Sequence, residues 1–239
     1  MKNLYILLFC LAFFIVLPIM SKCQSIGIYA GITHPSYTDY SLKALDGAPS
    51  YSTNGKWSSR YGIAGTSTLF KSRYWIKVGI GVEHLKSNLI VTSSPMPKAF
   101  TSDIQIEKSS VQFVLYPVNF RFLKNAEINI GYEFNFLLKQ DVSGIRYRTQ
   151  DYAQISDISN EVKDMNQKTT SGVRVNASYA FFLTKNMSVS PEYSVNFGLQ
   201  NEFNKIWTKA KIVQHFLGIN AFYHFGKEYD AIVVAANQN

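Results

Sequence analysis

Few residues in this chain have the means to do chemistry. There are four histidines, His34, His84, His215 and His224. In the segment THPSY, His34 stands two residues before Ser36, and Glu83 is followed directly by His84. A nucleophilic serine needs a base within hydrogen-bonding distance and a third group that orients the base, so His34 with Ser36 is the first candidate pair and Glu83 with His84 the second. The four histidines share no metal-ligand spacing, and no Asp-rich calcium loop occurs. Both cysteines, Cys10 and Cys23, fall in the N-terminal segment. Spacing alone therefore assigns no catalytic, cofactor-binding or metal-ligating residue. In NEFNKIWTKAKI, Lys205, Lys209 and Lys211 surround Trp207 with the charge to hold lipopolysaccharide phosphates, although lysines at a rim also simply snorkel.

The elements that must position these residues are alternating strands. In AEINIGYEFNFLLK, Ile128, Ile130, Tyr132, Phe134, Phe136 and Leu138 share one parity, and Glu127, Asn129, Gly131, Glu133, Asn135 and Lys139 the other. Such a strand has one dry face and one polar face. Eight segments show this period, at about 25–34, 60–70, 74–83, 110–122, 126–139, 172–181, 187–199 and 213–225. The fourth changes parity at Pro117, which predicts a β-bulge there, where one extra residue resets the register.

Long connections at 35–57, 86–109, 140–170 and 200–212 alternate with the short turns KSR, KN and TKN. This is the rhythm of an up-and-down outer-membrane barrel with short periplasmic turns and long outer loops. Within the third loop, SNEVKDMNQK has the pattern of a helical turn or two. Volume decides which parity faces out. The apolar side chains are too many and too large for the lumen of an eight-stranded barrel, whereas the opposite parity is rich in Gly, Ala, Ser and Thr. The charges on that polar parity balance: Arg60, Lys77, Lys139 and Arg174 against Glu83, Glu127, Glu133 and Glu192. Eleven residues at about 3.3 Å each, tilted by roughly 40°, rise about 28 Å, enough to cross an apolar band about 25 Å tall. Tyr61, Tyr74, Tyr132, Tyr179, Tyr193 and Tyr223 lie on the lipid-facing parity. The rival reading is a secreted soluble carrier with the apolar parity enclosed.

The N-terminal run from Leu4 to Met20, followed by small residues before Gln24, reads as a signal peptide over 1–23. Loss of Lys2 and Lys22 with it lowers the formal charge from +8 to +6, spread along the chain. No basic helix or RNA-binding motif occurs, so nucleic acid is not an expected partner. The remaining 24–226 reads as one all-β domain, with 227–239 as a periplasmic tail.

The fourth and fifth strands, VQFVLYPVNFRFLKNAEINIGYEFNFLLK, and the closing LGINAFYHFGK resemble the PorT-like outer-membrane β-barrel proteins of Bacteroidota. The resemblance implies an eight-stranded barrel of the outer membrane without a catalytic signature, some members being accessories of protein secretion, and a monomeric barrel is expected. The chain departs from that pattern in the residues that follow Phe225. The expected function is thus a structural or interaction component, in contact with outer-membrane lipid and lipopolysaccharide. Protein partners would be met through the outer loops or the tail, and no pore open to free diffusion is expected. Small outer-membrane barrels that modify lipid A carry a serine and a histidine near the outer rim, which keeps His34 and Ser36 as the enzymatic alternative.

Overall fold

The computed structural model describes residues 25–39, 50–68, 75–93, 100–121, 125–148, 150–203 and 210–225. The expected signal segment, the tail, the KSR turn, Tyr74 and the Lys205, Trp207, Lys209 cluster lie outside the described residues. The elements are β1 (Ser25–Asp39), β2 (Ser50–Lys56), β3 (Ser58–Thr68), β4 (Trp75–Ser93), β5 (Phe100–Arg121), β6 (Ala126–Arg148), β7 (Gln154–Asp157), α1 (Ser159–Val162), β8 (Thr169–Tyr179), β9 (Phe181–Thr184), β10 (Met187–Gly198) and β11 (Ala210–His224).

Eight strands close a ring in the order β1, β3, β4, β5, β6, β8, β10, β11 and back to β1, each pair antiparallel. Closure leaves the ring without a free edge, the condition for crossing hydrocarbon with strands. The remaining strands extend the ring. β2 continues along β4 above β3, β9 continues along β10 beyond β8, and β7 adds to β6.

The apolar parity faces outward. Ile28 is 65% exposed, Ile219 58% and Leu217 52%, whereas Arg174, Glu133 and Glu83 on the opposite parity are buried. The soluble-carrier reading therefore falls, because its apolar face would be enclosed. Inside, aromatic rings lie on glycines. A Cβ at Gly81 would stand 2.1 Å from the Tyr29 hydroxyl, and one at Gly31 2.8 Å from the Phe216 ring. Small residues on this parity make room for a few large rings from their neighbours.

Two bulges set the register. Leu115 pairs with Tyr132 and Val118 with Ile130, so Tyr116 and Pro117 together face Gly131. The proline marks this slip as the alternation predicts. The second bulge corrects an expectation. Ser110 pairs with Leu137 and Ser109 with Lys139, which leaves Leu138 as an extra residue and turns Lys139 outward into solvent. Leu137 and Leu138 are both apolar, so the slip between them leaves no trace in the pattern. The first long connection also starts later than residue 35, because β1 runs through Pro35 to Asp39. Above Thr33 that strand pairs with β11 alone, an edge position where a missing N–H is tolerated.

The long outer connections are present, and much of their length is itself strand. β4 runs to Ser93, β5 begins at Phe100 and β6 reaches Arg148. In this outer part the sidedness inverts. Leu85, Leu89 and Val91 of β4, Ile104 and Ile106 of β5 and Val142 of β6 point inward. They join Ile158, Val162, Met165, Phe203, Tyr37 and Ile212 in one buried apolar cluster. The single turn of α1 forms within the segment that promised one. Its start is tied down by Asp157, which accepts the Ser159 N–H at 2.8 Å, while the Gly144 N–H donates to Ser159 Oγ at 3.1 Å. A side chain at Gly144 would meet Ile158 Cγ1 at 2.8 Å, so glycine there lets Ile158 reach the cluster.

Candidate functional site: a charged lumen beneath an apolar cap

The inward positions of the ring carry a connected set of charges. Glu133 of β6 sits at its centre. Arg60 of β3 donates to it at 3.2 Å and Arg174 of β8 at 2.5 Å, both to Oε2. Its other oxygen accepts from Asn196 at 2.8 Å and Asn135 at 3.1 Å. Both guanidiniums also lie over the Phe216 ring of β11, Arg60 at 5.1 Å and Arg174 at 5.3 Å from its centroid. Nearer the periplasm, Lys77 pairs with Glu192 at 3.2 Å, flanked by the rings of Tyr116 and Phe222. Nearer the outside, Gln214 donates to Glu83 at 3.2 Å, and Lys108 pairs with Glu202.

Of the charges expected in the lumen, Arg60, Lys77, Arg174, Glu83, Glu133 and Glu192 are buried there. Lys139 is not, for the register reason above, and Glu127 is only half-buried near the periplasmic end. Lys108 and Glu202 complete the buried set instead. Four cations thus balance four carboxylates in number among the described residues: Glu133 takes two of them, Glu192 and Glu202 one each, and Glu83 is held by Gln214, and this balance is what makes their burial tolerable.

Above this set lies the cap. Gln167 N–H donates to the Glu202 carbonyl at 2.9 Å, and Asn166 bridges to Phe203, which fixes the stretch after α1 across the mouth. Ionic filling lies below and apolar filling above, with a small pocket between them lined by Glu83, Lys108, Asn135, Gln167, Ile212 and Gln214.

The candidate nucleophile and base are not brought together. Ser36 Oγ donates to the Val213 carbonyl at 3.2 Å, and the His34 ring rests against Trp57 at 5.0 Å. Glu83 points into the lumen, while His84 faces outward and meets Ser109 Oγ at 2.8 Å. His215, on the outer side, contacts the Tyr193 hydroxyl at 2.7 Å. A serine and a histidine do meet at the periplasmic mouth, Ser188 Oγ to His224 Nε2 at 2.8 Å, but both are buried, with Phe182 and Phe222 beside the imidazole. Lumen parity at 188 and 224 was visible in the alternation; their contact across β10 and β11 was not.

A closed antiparallel ring with an apolar exterior and a paired-charge interior is a transmembrane β-barrel of the bacterial outer membrane. No protein-family model and no curated protein matches the chain. Solved structures do. It is similar to Neisserial surface protein A, at 11% identity over 84% of this chain and 97% of that one, with a TM-score of 0.38. It is also similar to Ail, the attachment invasion locus protein of Yersinia pestis, at 8% identity over 84% and 99%, with a TM-score of 0.33. A third is the translocator domain of the autotransporter NalP from Neisseria meningitidis, at 8% identity over 84% and 88%, with a TM-score of 0.29. The fold assignment rests on this chain's own ring and exterior.

Proposed function

We propose that this barrel is a structural and interaction component of the outer membrane. It anchors a rigid outer platform on which protein partners dock, and its lumen passes no solute by free diffusion. The observation that carries this reading is the inversion of β4, β5 and β6 above the belt, where they enclose a buried apolar cluster of their own. Mobile loops would need no such core; a fixed surface does. On the outward side of this platform Asn88, Gln105 and Ser143 stand side by side in register, and Ile90, Asp103 and Ile145 form the next row up. A narrower form of the proposal, suggested by the resemblance to PorT-like proteins, is an accessory role in protein secretion.

The test is photo-crosslinking in living cells from a reactive residue placed at Gln105 or Ser143. Discrete protein adducts are expected from these positions and not from the lipid-facing Ile219. Adducts to lipid alone would overturn the docking role. Conductance steps of the folded protein in a planar bilayer would overturn the sealed lumen. For the secretion role, a deletion strain should retain exported proteins in its periplasm.

A further inference from the structure

We propose that the outer rim over β1 to β4 binds a phosphate group carried by an anionic glycolipid of the outer leaflet, with Lys56, Lys86 and Trp57 as the contacting residues. The inference rests on the barrel's placement in the membrane and is independent of protein docking.

The outward face of these strands is layered. One row reads Ala30, Tyr61, Val82, Val111 and Phe136 across β1, β3, β4, β5 and β6. The next up contains Ile32, Ser59, His84, Ser109 and Lys139. Above it, Lys86 lies between Lys56 on β2 and Glu107 on β5, followed by Asp141 on β6. Apolar rows therefore give way to an imidazole row and then to a charged row within two steps. That order matches the passage from acyl chains to headgroups, where amphipathic rings and snorkelling lysines settle.

The lysine row is built rather than incidental. Trp57 is an extra residue between β2 and β3, so that Lys56 and Trp57, though adjacent, are both exposed, the indole at 59%. Ser58 repairs the ladder at this bulge: it accepts the Lys86 N–H at 2.9 Å and donates to the Lys56 carbonyl at 3.0 Å. The His34 ring backs the indole. The bulge leaves Lys56 directly opposite Lys86, a like-charge pairing that an antiparallel ladder disfavours. Glu107 answers one of the two ammoniums, at 2.9 Å from Lys86. A second anion placed between the lysines would answer the other.

The source of that anion is the membrane itself, since a phosphorylated glycolipid holds its phosphate at the depth of this row and its acyl chains along Ile32, Tyr61 and Val82. The test uses the full chain, folded in detergent and mixed with bisphosphorylated lipid A, with bound lipid counted by native mass spectrometry. Retention should fall about fivefold for each lysine removed in K56Q and K86Q, and should weaken with added salt. E107Q, which releases Lys86 from its partner, should raise retention, and K56R should preserve it. Dephosphorylated lipid A should bind equally to wild type and to the double variant. Unchanged retention in K56Q/K86Q would overturn the site, as would equal losses with the dephosphorylated lipid. Full displacement by equimolar inorganic phosphate would overturn the lipid as the source. The boiling-dependent gel shift of each variant verifies that the barrel has folded.

Discussion

Three strands, β4, β5 and β6, run through both the belt and the cap, and the two regions are opposites. Within the belt, β4, β5 and β6 turn Ile80, Phe113 and Phe134 outward and Glu83, Gln112 and Glu133 inward. A few residues further on, β4 and β5 turn Leu89 and Ile104 inward and Asn88 and Gln105 outward. Alternation is continuous through β4 itself, although extra residues stand near this level elsewhere in the wall, Trp57 between β2 and β3 and Leu138 in β6. What changes is the surroundings: hydrocarbon accepts the apolar parity outside, and water requires it inside. The interiors differ accordingly. The belt is held by hydrogen-bonded charge beside a small cluster of Tyr29, Ala64 and Phe216, and the cap by a larger burial of hydrocarbon.

That contrast is broken most severely at Glu133. Glu133→Gln leaves Arg60 and Arg174 buried without their shared anion, a loss expected to be about 3–5 kcal/mol. It should appear as failure of the boiling-dependent gel shift or a large drop in the denaturant midpoint. Adding R174Q should recover part of it. Leu89→Ala, wholly buried in the cap, is expected to cost roughly 2–5 kcal/mol. Its signature differs, since protease should nick the outer hairpins while the barrel keeps its gel shift; loss of both together would mean that belt and cap are one cooperative unit. Ile219→Lys places a cation on the lipid face beside Ala30 near mid-belt, at roughly 2–4 kcal/mol. Gln105→Lys, on the same outward side of the ring but above the belt, should fall within about 0.5 kcal/mol. Equal costs for these two lysines would remove the boundary drawn here.

Much of the belt was legible because alternation repeats. Eight segments, the bulge at Pro117 and six of the eight buried charges follow from parity and volume alone. Lys139 escaped because the slip at Leu138 falls between two leucines, where pattern cannot register it. Lys108 was legible in principle: it shares its parity with Ile104, Ile106, Ser110 and Gln112, an unbroken run that crosses what looked like a loop. Likewise Ile158, Val162 and Met165 recur at helical spacing and all are buried. Glu202 and Phe203 left no local signal, because they are buried by residues distant in the chain.

Tyr37 provides the finest test of the cap's separate nature. Its ring packs against Phe203 at 5.3 Å and its hydroxyl meets Ser87 Oγ at 3.1 Å, above the belt. Burial pushes the phenol from its ordinary value near 10 up to about 12, because a phenolate there would lose its hydration. A raised value in the folded state means stability that is complete below pH 10, declines as the pH rises from 10 to 12, and is gone above. The loss over this window is on the order of 3 kcal/mol. Surface proteolysis of the outer hairpins should therefore accelerate between pH 10 and 12 while the barrel's gel shift persists. Tyr37→Phe should start with a slightly less stable cap, by about 1 kcal/mol for the lost hydrogen bond, and should show a flatter response over the same window. If wild type and variant respond identically, alkaline loosening arises elsewhere, and the cap is not closed by this ring.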